Sequence, residues 1–125
     1  MKRVISTDQA PQAIGPYSQA IEVNNMVFTS GVISIDPKTN TLVAGTIEEQ
    51  TEQVLSNLKN LLEAAGTSMD NVVKTVVFIK NMDDFATVNE IYANYFTKDC
   101  PARSCVEVAR LPKDVLIEVE AIAVK

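Results

Sequence analysis

The segment VLIEVEAIAV, from Val115 to Val124, constrains the fold more than any other part of the sequence. Successive side chains of a β-strand point to opposite faces. Both alternating sets in this segment contain apolar residues: Val115, Ile117, Val119 and Ala121 on one side, and Leu116, Ile122 and Val124 on the other. This pattern is typical of a strand that is buried twice. It predicts helices against one face and neighbouring subunits against the other.

Five further segments, most of them rich in β-branched residues, have the pattern of strands. The predicted strands are Arg3–Ser6, Ala20–Val23, Met26–Ser34, Val72–Ile79, Arg103–Ala109 and Val115–Val124. Asn24 and Asn25 supply a tight turn, so the second and third strands are predicted to form a hairpin. The segment Arg-Leu-Pro-Lys-Asp connects the last two strands.

Two amphipathic helices are predicted between these strands. Thr46 and Glu49 form a capping box, and apolar residues then recur at helical spacing until Gly66. Asp83 or Asp84 is the expected cap of the second helix. The two apolar stripes are Val54, Leu55, Leu58, Leu61, Leu62 and Ala65, followed by Phe85, Val88, Tyr92, Tyr95 and Phe96. Such stripes indicate helices packed on a sheet rather than ligand-binding faces.

The order of elements is therefore βββαβαββ. It predicts an α+β fold, in which a mixed sheet is covered on one face by two helices. The length of 125 residues and the 46% content of hydrophobic residues fit one domain spanning residues 1–125.

Composition excludes several kinds of chemistry. The chain has no histidine, which removes the Ser-His-Asp triad, the Cys-His dyad and histidine-based metal sites. Its four glycines are too dispersed for a phosphate-binding loop or a dinucleotide fingerprint. The net charge of −5 disfavours nucleic acid as a partner. We therefore expect no metal, no cofactor and no nucleic acid partner.

The sequence also leads us to expect a cytoplasmic protein. The segment MKRVISTDQAP lacks the pattern of a signal peptide, and no apolar run approaches the roughly 18 residues of a membrane span. Cys100 and Cys105 are then expected to be free thiols.

Polar residues converge on the last two predicted strands. If these strands pair as an antiparallel hairpin, their apolar faces coincide and Arg103, Cys105 and Glu120 become neighbours. From the pattern alone, a purely structural cross-strand ion pair between Arg103 and Glu120 is favoured over a functional site. Glu107 and Glu118 are interpreted as solvated or interface charges. Cys105 is interpreted as a small buried residue, because no histidine is present to activate it.

Four segments, in order, resemble the YjgF/RidA family. They are AIGPYSQAI from Ala13, FTSGVI from Phe28, DDFATVNEIY from Asp83, and PARSCVEVARLPKD followed by IEVEAIAV. The resemblance covers nearly the whole chain. It implies a chorismate-mutase-like α+β subunit, a homotrimer with clefts between subunits, and hydrolysis of 2-imino acids such as 2-iminobutyrate and 2-iminopropionate to 2-keto acids and ammonia.

The resemblance also implies a role for each site residue. Arg103 would bind the substrate carboxylate through two parallel hydrogen bonds. Glu120 would position a water molecule and carry its proton. Cys105 would line the pocket, Tyr17, Ser30 and Gly31 would enclose the ligand, and Asn89 would lie near the cleft. Because Tyr17 is far in sequence from Arg103 and Glu120, we expect it to reach the cleft from the adjacent chain. Taken without the resemblance, Tyr17 is a packed loop aromatic and Ser30 a capping hydroxyl.

Two other functions remain open at this point. The Arg103 cleft suits a keto-acid-binding or regulatory module without turnover. Ribonuclease activity or inhibition of translation, which is ascribed to some family members, is disfavoured by the acidic charge and the absence of histidine.

Overall fold

The computed structural model describes residues 1–125 and contains eight strands and two helices. The strands are β1 (Arg3–Ile5), β2 (Ala20–Val23), β3 (Met26–Thr29), β4 (Ile35–Asp36), β5 (Thr41–Leu42), β6 (Val72–Ile79), β7 (Ala102–Glu107) and β8 (Ile117–Val124). The helices are α1 (Ile47–Ala64) and α2 (Phe85–Tyr95).

Six strands form one mixed sheet in the order β1-β2-β3-β8-β6-β7. Every neighbouring pair is antiparallel except β6 and β7, which are parallel. Both helices pack on one face of this sheet and share a single apolar core with it. The predicted α+β fold, a mixed sheet with two helices on one face, is confirmed.

Helix α1 begins at the predicted capping box. Thr46 Oγ1 accepts a hydrogen bond from the Glu49 amide, and Glu49 Oε1 accepts one from the Thr46 amide, each at 3.2 Å. Two orphan amides at the helix N-terminus are thereby satisfied. All six apolar residues of the predicted stripe are buried. The amphipathic pattern therefore fixes which side of α1 faces the sheet.

Other local predictions are confirmed only in part or are wrong. Asp84 is the N-cap residue of α2, as predicted, but its side chain forms no capping hydrogen bond; Asn81 Oδ1 accepts a bond from the Asp83 amide in the turn before α2. Strand β3 ends at Thr29 rather than Ser34. The Ser30 amide still donates to the Gln19 carbonyl oxygen (2.9 Å), but Val32 already forms an isolated bridge with Val119 of β8. The small β4–β5 hairpin was not predicted.

The antiparallel pairing of the last two strands is also wrong. Strand β6 lies between β7 and β8, pairing Thr75 with both Arg103 and Ala121, and Val76 with Glu120. Directly opposed residues share a face of the sheet. Arg103 and Cys105 therefore lie on the helix-covered face with buried Thr75, whereas Glu120 lies on the other face. The predicted proximity of Arg103 and Cys105 to Glu120 does not exist within one chain.

The face of the sheet opposite the helices, here called the open face, has no layer of helices or strands from its own chain, although the loop at Gly31 contacts it at Glu118. It contains Met26 and Phe28 of β3, Val76 and Phe78 of β6, Val106 of β7, and Glu118, Glu120, Ile122 and Val124 of β8. Phe28 is 37% exposed, Val124 39% and Val106 41%. The central strand β8 is therefore buried on its helix side only.

No helix of the structure is both long enough and apolar enough to span a membrane. No three cysteine, aspartate or glutamate side chains are grouped in a way that suits a metal ion.

Candidate functional site

Two loops meet where β3 ends, and their contacts position Ser30 and Tyr17. Ser30 Oγ donates to the Ser18 carbonyl oxygen (2.6 Å), which ties the end of β3 to the loop before β2. Tyr17 is 52% exposed, and its hydroxyl accepts a hydrogen bond from the Ile14 amide (3.4 Å). The interpretation of Ser30 as a capping hydroxyl fits this hydrogen bond, but its oxygen still has a lone pair for another partner. The ring of Tyr17 is free to meet a ligand.

Gln19 holds the wall of this region in place. Its side chain is buried, with Oε1 accepting from the Thr7 amide (2.7 Å) and Nε2 within hydrogen-bonding distance of the carbonyl oxygens of Thr7, Ala10 and Pro11 (3.0, 3.3 and 2.7 Å). A buried amide that satisfies several backbone groups fixes the path of the segment it contacts. The loop from Thr7 to Pro11 is therefore a defined surface.

Glu118, not Glu120, lies against these loops. A Cβ atom at Gly31 would overlap the Glu118 carboxylate, so the glycine leaves room for the close approach of this side chain. Glu118 is half-buried. Burial raises the pKa of the Glu118 carboxyl, and the negative charge of Glu120 raises it further. A carboxyl group of this kind suits general acid/base catalysis.

These residues line one cavity of about 580 Å³. Tyr17, Ser30, Gly31 and Glu118, here called the Glu118 cluster, lie along it together. Its apolar wall includes Ile14, Ile33, Ile35 and Leu61. Glu120 does not line this cavity. Polar groups that converge in a partly apolar cleft are the usual composition of a small-molecule site.

The connection between β7 and β8 borders the same cavity. Lys113 lines it, and both Lys113 and Asp114 have φ of 56°, in the left-handed region that non-glycine residues rarely adopt. Arg110 braces the turn through two hydrogen bonds to the Asp114 carboxylate, at 2.6 and 3.1 Å. Backbone strain of this kind is often found at functional sites. The turn thus presents a cation at the cavity that contains Glu118.

Arg103 belongs to a second group of residues, on the helix-covered face. Its Nη1 donates to Asn89 Oδ1 (2.7 Å), and its Cζ lies 5.4 Å from the centre of the Phe85 ring and 4.8 Å from that of Tyr92. We call Arg103, Asn89, Phe85 and Tyr92 the Arg103 cluster. Only one donor of the guanidinium has a partner within the chain, so the remaining donors are available for an anion.

Cys105 lies next to this cluster on β7, half-buried against the core. Burial raises the pKa of its thiol, and the charge of Arg103 acts in the opposite direction. The thiol is therefore protonated at neutral pH and is a poor nucleophile. This agrees with the interpretation of Cys105 as a small packed residue that lines the site.

The structure thus brings together some predicted site residues and separates others. Tyr17, Ser30 and Gly31 lie together along the cavity. Arg103, Asn89 and Cys105 lie together on the helix-covered side of the sheet. Glu120 is on the open face, two residues from Glu118. Sequence reasoning missed Glu118 as a functional candidate, although it stands in the same IEVEA motif and on the same face as Glu120. It also missed Lys113.

Fold and clusters define a class: an α+β protein with a one-sided helical layer, a half-buried arginine without an anionic partner at one sheet edge, and a half-buried carboxyl of raised pKa in a cavity. A family model described as endoribonuclease L-PSP matches residues 7–125. A solved structure from Thermotoga maritima superimposes with a TM-score of 0.97 at 62% identity, covering 100% of this chain and 98% of that one.

Two curated relatives are similar over their full lengths. A RutC family protein of Pyrococcus horikoshii is 59% identical over 125 residues, covering 100% of this chain and 99% of that protein. A Salmonella typhimurium protein named 2-iminobutanoate/2-iminopropanoate deaminase is 54% identical over 128 residues, with coverage of 100% and 99%. The chain therefore belongs to the endoribonuclease L-PSP family, the YjgF/RidA family that its motifs predict.

Proposed function

We propose that this protein hydrolyses 2-imino acids to 2-keto acids and ammonia. The observation that carries the proposal is the Glu118 carboxyl, which lies over Gly31 in a cavity with Tyr17 and Ser30 and has a raised pKa. A relative that is 54% identical bears the name of such a deaminase, which supports the same reaction.

The reaction needs two functions from the protein. One is an anchor for the substrate carboxylate, which the planar fork of Arg103 supplies. The other is one acid/base group. Glu118 accepts a proton from water as the water oxygen bonds to the carbon of the protonated imine, and returns this proton to the nitrogen of the resulting carbinolamine. It then accepts the hydroxyl proton as the C=O bond forms and the C–N bond breaks, and that proton leaves with ammonia as ammonium. Holding substrate and water in line supplies much of the acceleration.

We infer that each complete site lies between two chains. Within one chain the Arg103 and Glu118 clusters lie on opposite faces, with β6 between β7 and β8, so that roughly 10 Å of sheet separates their strands. A small 2-imino acid does not reach around a sheet. A homotrimer, which the family resemblance implies, joins the Arg103 cluster of one chain to the Glu118 cluster of its neighbour.

This inference changes two sequence-based expectations. The proton carrier is Glu118 rather than Glu120, because Glu118 is the carboxylate in contact with Gly31. The carboxylate then belongs to the chain that contributes Tyr17, and not to the chain that contributes Arg103. The expectation that Tyr17 reaches the cleft from a neighbouring chain remains part of the proposal.

A coupled assay tests the activity. A pyridoxal-phosphate dehydratase generates the imine, and keto acid is followed with and without this protein. We expect faster keto acid release with the unsubstituted protein and none above background with Arg103→Ala. An unchanged rate with the unsubstituted protein, together with calorimetric binding of the keto acid, would instead support a binding module. Cleavage of RNA by the unsubstituted protein, absent from Arg103→Ala, would support the ribonuclease.

A further inference from the structure

Arg103 is a cation without an anionic partner in its own chain. The ion pairs of the protein join Arg3 and Lys125 to Glu22, and Arg110 to Asp114, and none includes Arg103. Yet the side chain is half-buried. A partly buried charge normally acquires a counter-charge, because desolvation is otherwise costly. The environment of Arg103 must therefore stabilise its charge in another way.

The groups that contact Arg103 are all neutral. Asn89 offers an amide oxygen, and Phe85 and Tyr92 offer the faces of their rings. Aromatic faces attract cations through the ring quadrupole without carrying a charge. Burial raises the pKa of Tyr92, so its phenol also stays uncharged at neutral pH.

The Tyr92 ring is itself held in place from behind. Its hydroxyl forms a buried 2.7 Å hydrogen bond with Thr75 Oγ1, on the strand next to Arg103. The ring also packs on Phe96, with centroids 4.5 Å apart. A ring fixed at both ends limits the rotamers of the guanidinium that stacks on it.

We propose that Phe85, Asn89 and Tyr92 form a neutral clamp, which fixes the direction of the Arg103 guanidinium and leaves its positive charge for the substrate carboxylate. This inference rests on the proposed function. A carboxylate in the place of Asn89 would orient the fork equally well, but it would compete with the substrate for the same charge. Phe85, Asn89 and Tyr92 are thus positioning residues that act through Arg103.

A purely structural role for the same contacts makes the opposite prediction. If the cluster only fastened α2 to β7, Asn89→Asp would replace the neutral acceptor of the Arg103 guanidinium with a charged one, and the resulting salt bridge would stabilise the fold without harm to the site. The neutral clamp predicts instead that this substitution weakens binding of the substrate carboxylate.

The first test compares Asn89→Asp with Asn94→Asp. Asn94 is exposed on the same helix, so the control adds the same charge away from Arg103. We expect the dissociation constant of the product 2-oxobutanoate, measured by calorimetry, to rise about tenfold or more in Asn89→Asp and to stay unchanged in Asn94→Asp. KM should rise by a similar factor in Asn89→Asp, with little change in kcat.

The second test examines the ring face in the unliganded protein. Phe85→Leu keeps an apolar side chain but removes the ring, and Phe85→Tyr restores it. We expect NMR of the Arg103 guanidinium N–H groups to show restricted rotation in the unsubstituted protein and in Phe85→Tyr, and faster rotation in Phe85→Leu. KM should be higher in Phe85→Leu than in the unsubstituted protein and in Phe85→Tyr.

The outcomes separate this inference from the proposed function. If the unsubstituted protein hydrolyses the imine and Arg103→Ala does not, but Asn89→Asp and Phe85→Leu bind 2-oxobutanoate like the unsubstituted protein, the clamp is refuted and the deaminase stands. If the unsubstituted protein neither hydrolyses the imine nor binds 2-oxobutanoate, the proposed function fails, and the clamp as a device for substrate binding fails with it.

Discussion

Glu118 and Glu120 lie on one face of β8, and each affects the chemistry of the other. Glu118 approaches Gly31, whereas Glu120 lies opposite Val76 and away from the cavity. The negative charge of Glu120 contributes to the raised pKa of Glu118, after burial as the larger cause. Glu120 therefore serves the proposed reaction by setting the pH range in which its neighbour carries protons.

The first prediction concerns this coupling. Glu120→Gln removes a negative charge near Glu118, so the pKa of Glu118 should fall and the acid limb of the kcat/KM profile should move to lower pH. Glu118→Gln should abolish turnover at every pH. Rates measured across the acid range check both. Loss of all turnover in Glu120→Gln, with an active Glu118→Gln, would return the catalytic role to Glu120.

A second prediction tests the contact between Gly31 and Glu118. Gly31→Ala pushes the Glu118 carboxylate aside, and we expect kcat/KM to fall about 10- to 100-fold because the proton carrier is misplaced. Gly45→Ala is the matched control, since a Cβ there crowds the carboxylate of Glu49 far from the cavity. It should leave kcat/KM unchanged. Equal losses in the two variants would show that the effect is not specific to the site.

The site residues were predictable only as far as local pattern reaches. Alternation along β8 places Glu118 and Glu120 on one face, but the choice between them depends on a loop that arrives from Gly31, far away in sequence. The pairing of Arg103 with Glu120 failed for a related reason. Strand β6 lies between β7, which contains Arg103, and β8, which contains Glu120. The face on which each residue lies therefore follows from two strand pairings, β6 with β7 and β6 with β8, rather than from one.

At the scale of elements, helix α1 follows most directly from the sequence. Its capping box is local, and its buried stripe needs only a period of 3.6 residues. The β4–β5 hairpin has strands of two residues each, which is too short for any alternation to appear. The parallel pairing of β6 and β7 was in principle accessible, because a helix such as α2 between two strands is the usual parallel crossover.

The capping box gives a third prediction. Thr46→Ala removes the hydroxyl that accepts from the Glu49 amide, and the free energy of unfolding should fall by about 1 kcal/mol. Thr46→Ser keeps the acceptor and should retain most of the stability. Urea denaturation at one fixed protein concentration measures both changes, because association shifts apparent stability. Equal stability of the alanine and serine variants would contradict the capping role.

At the scale of the whole molecule, the open face and the divided site point to the same assembly. Phe28, Val106 and Val124 leave apolar surface exposed next to Glu118 and Glu120. Covering that face with another chain stabilises the sheet by burial of apolar area. In the proposed trimer, the same contact would bring the Arg103 cluster of one chain towards the Glu118 cluster of its neighbour. Association and catalysis are then two consequences of one interface.

The last prediction tests whether each site is shared between two chains, by mixing two kinds of inactive chain. Arg103→Ala and Glu118→Gln chains, co-expressed with different tags and isolated as mixed trimers, should regain activity. An interface between an intact Arg103 cluster and an intact Glu118 cluster from different chains is complete. In a cyclic trimer that contains both kinds of chain, one of the three interfaces meets this condition.

The matched control mixes Tyr17→Ala chains with Glu118→Gln chains. Both substitutions fall in the Glu118 cluster, so every interface contains a damaged cluster and no activity should return. Sedimentation equilibrium verifies that both mixtures are trimers. Activity in neither mixture would mean that Arg103 and Glu118 serve one site from the same chain, which the opposite faces of the sheet argue against. Activity in both mixtures would show that Tyr17 and Glu118 of one site come from different chains, and would assign Tyr17 to the chain that contributes Arg103.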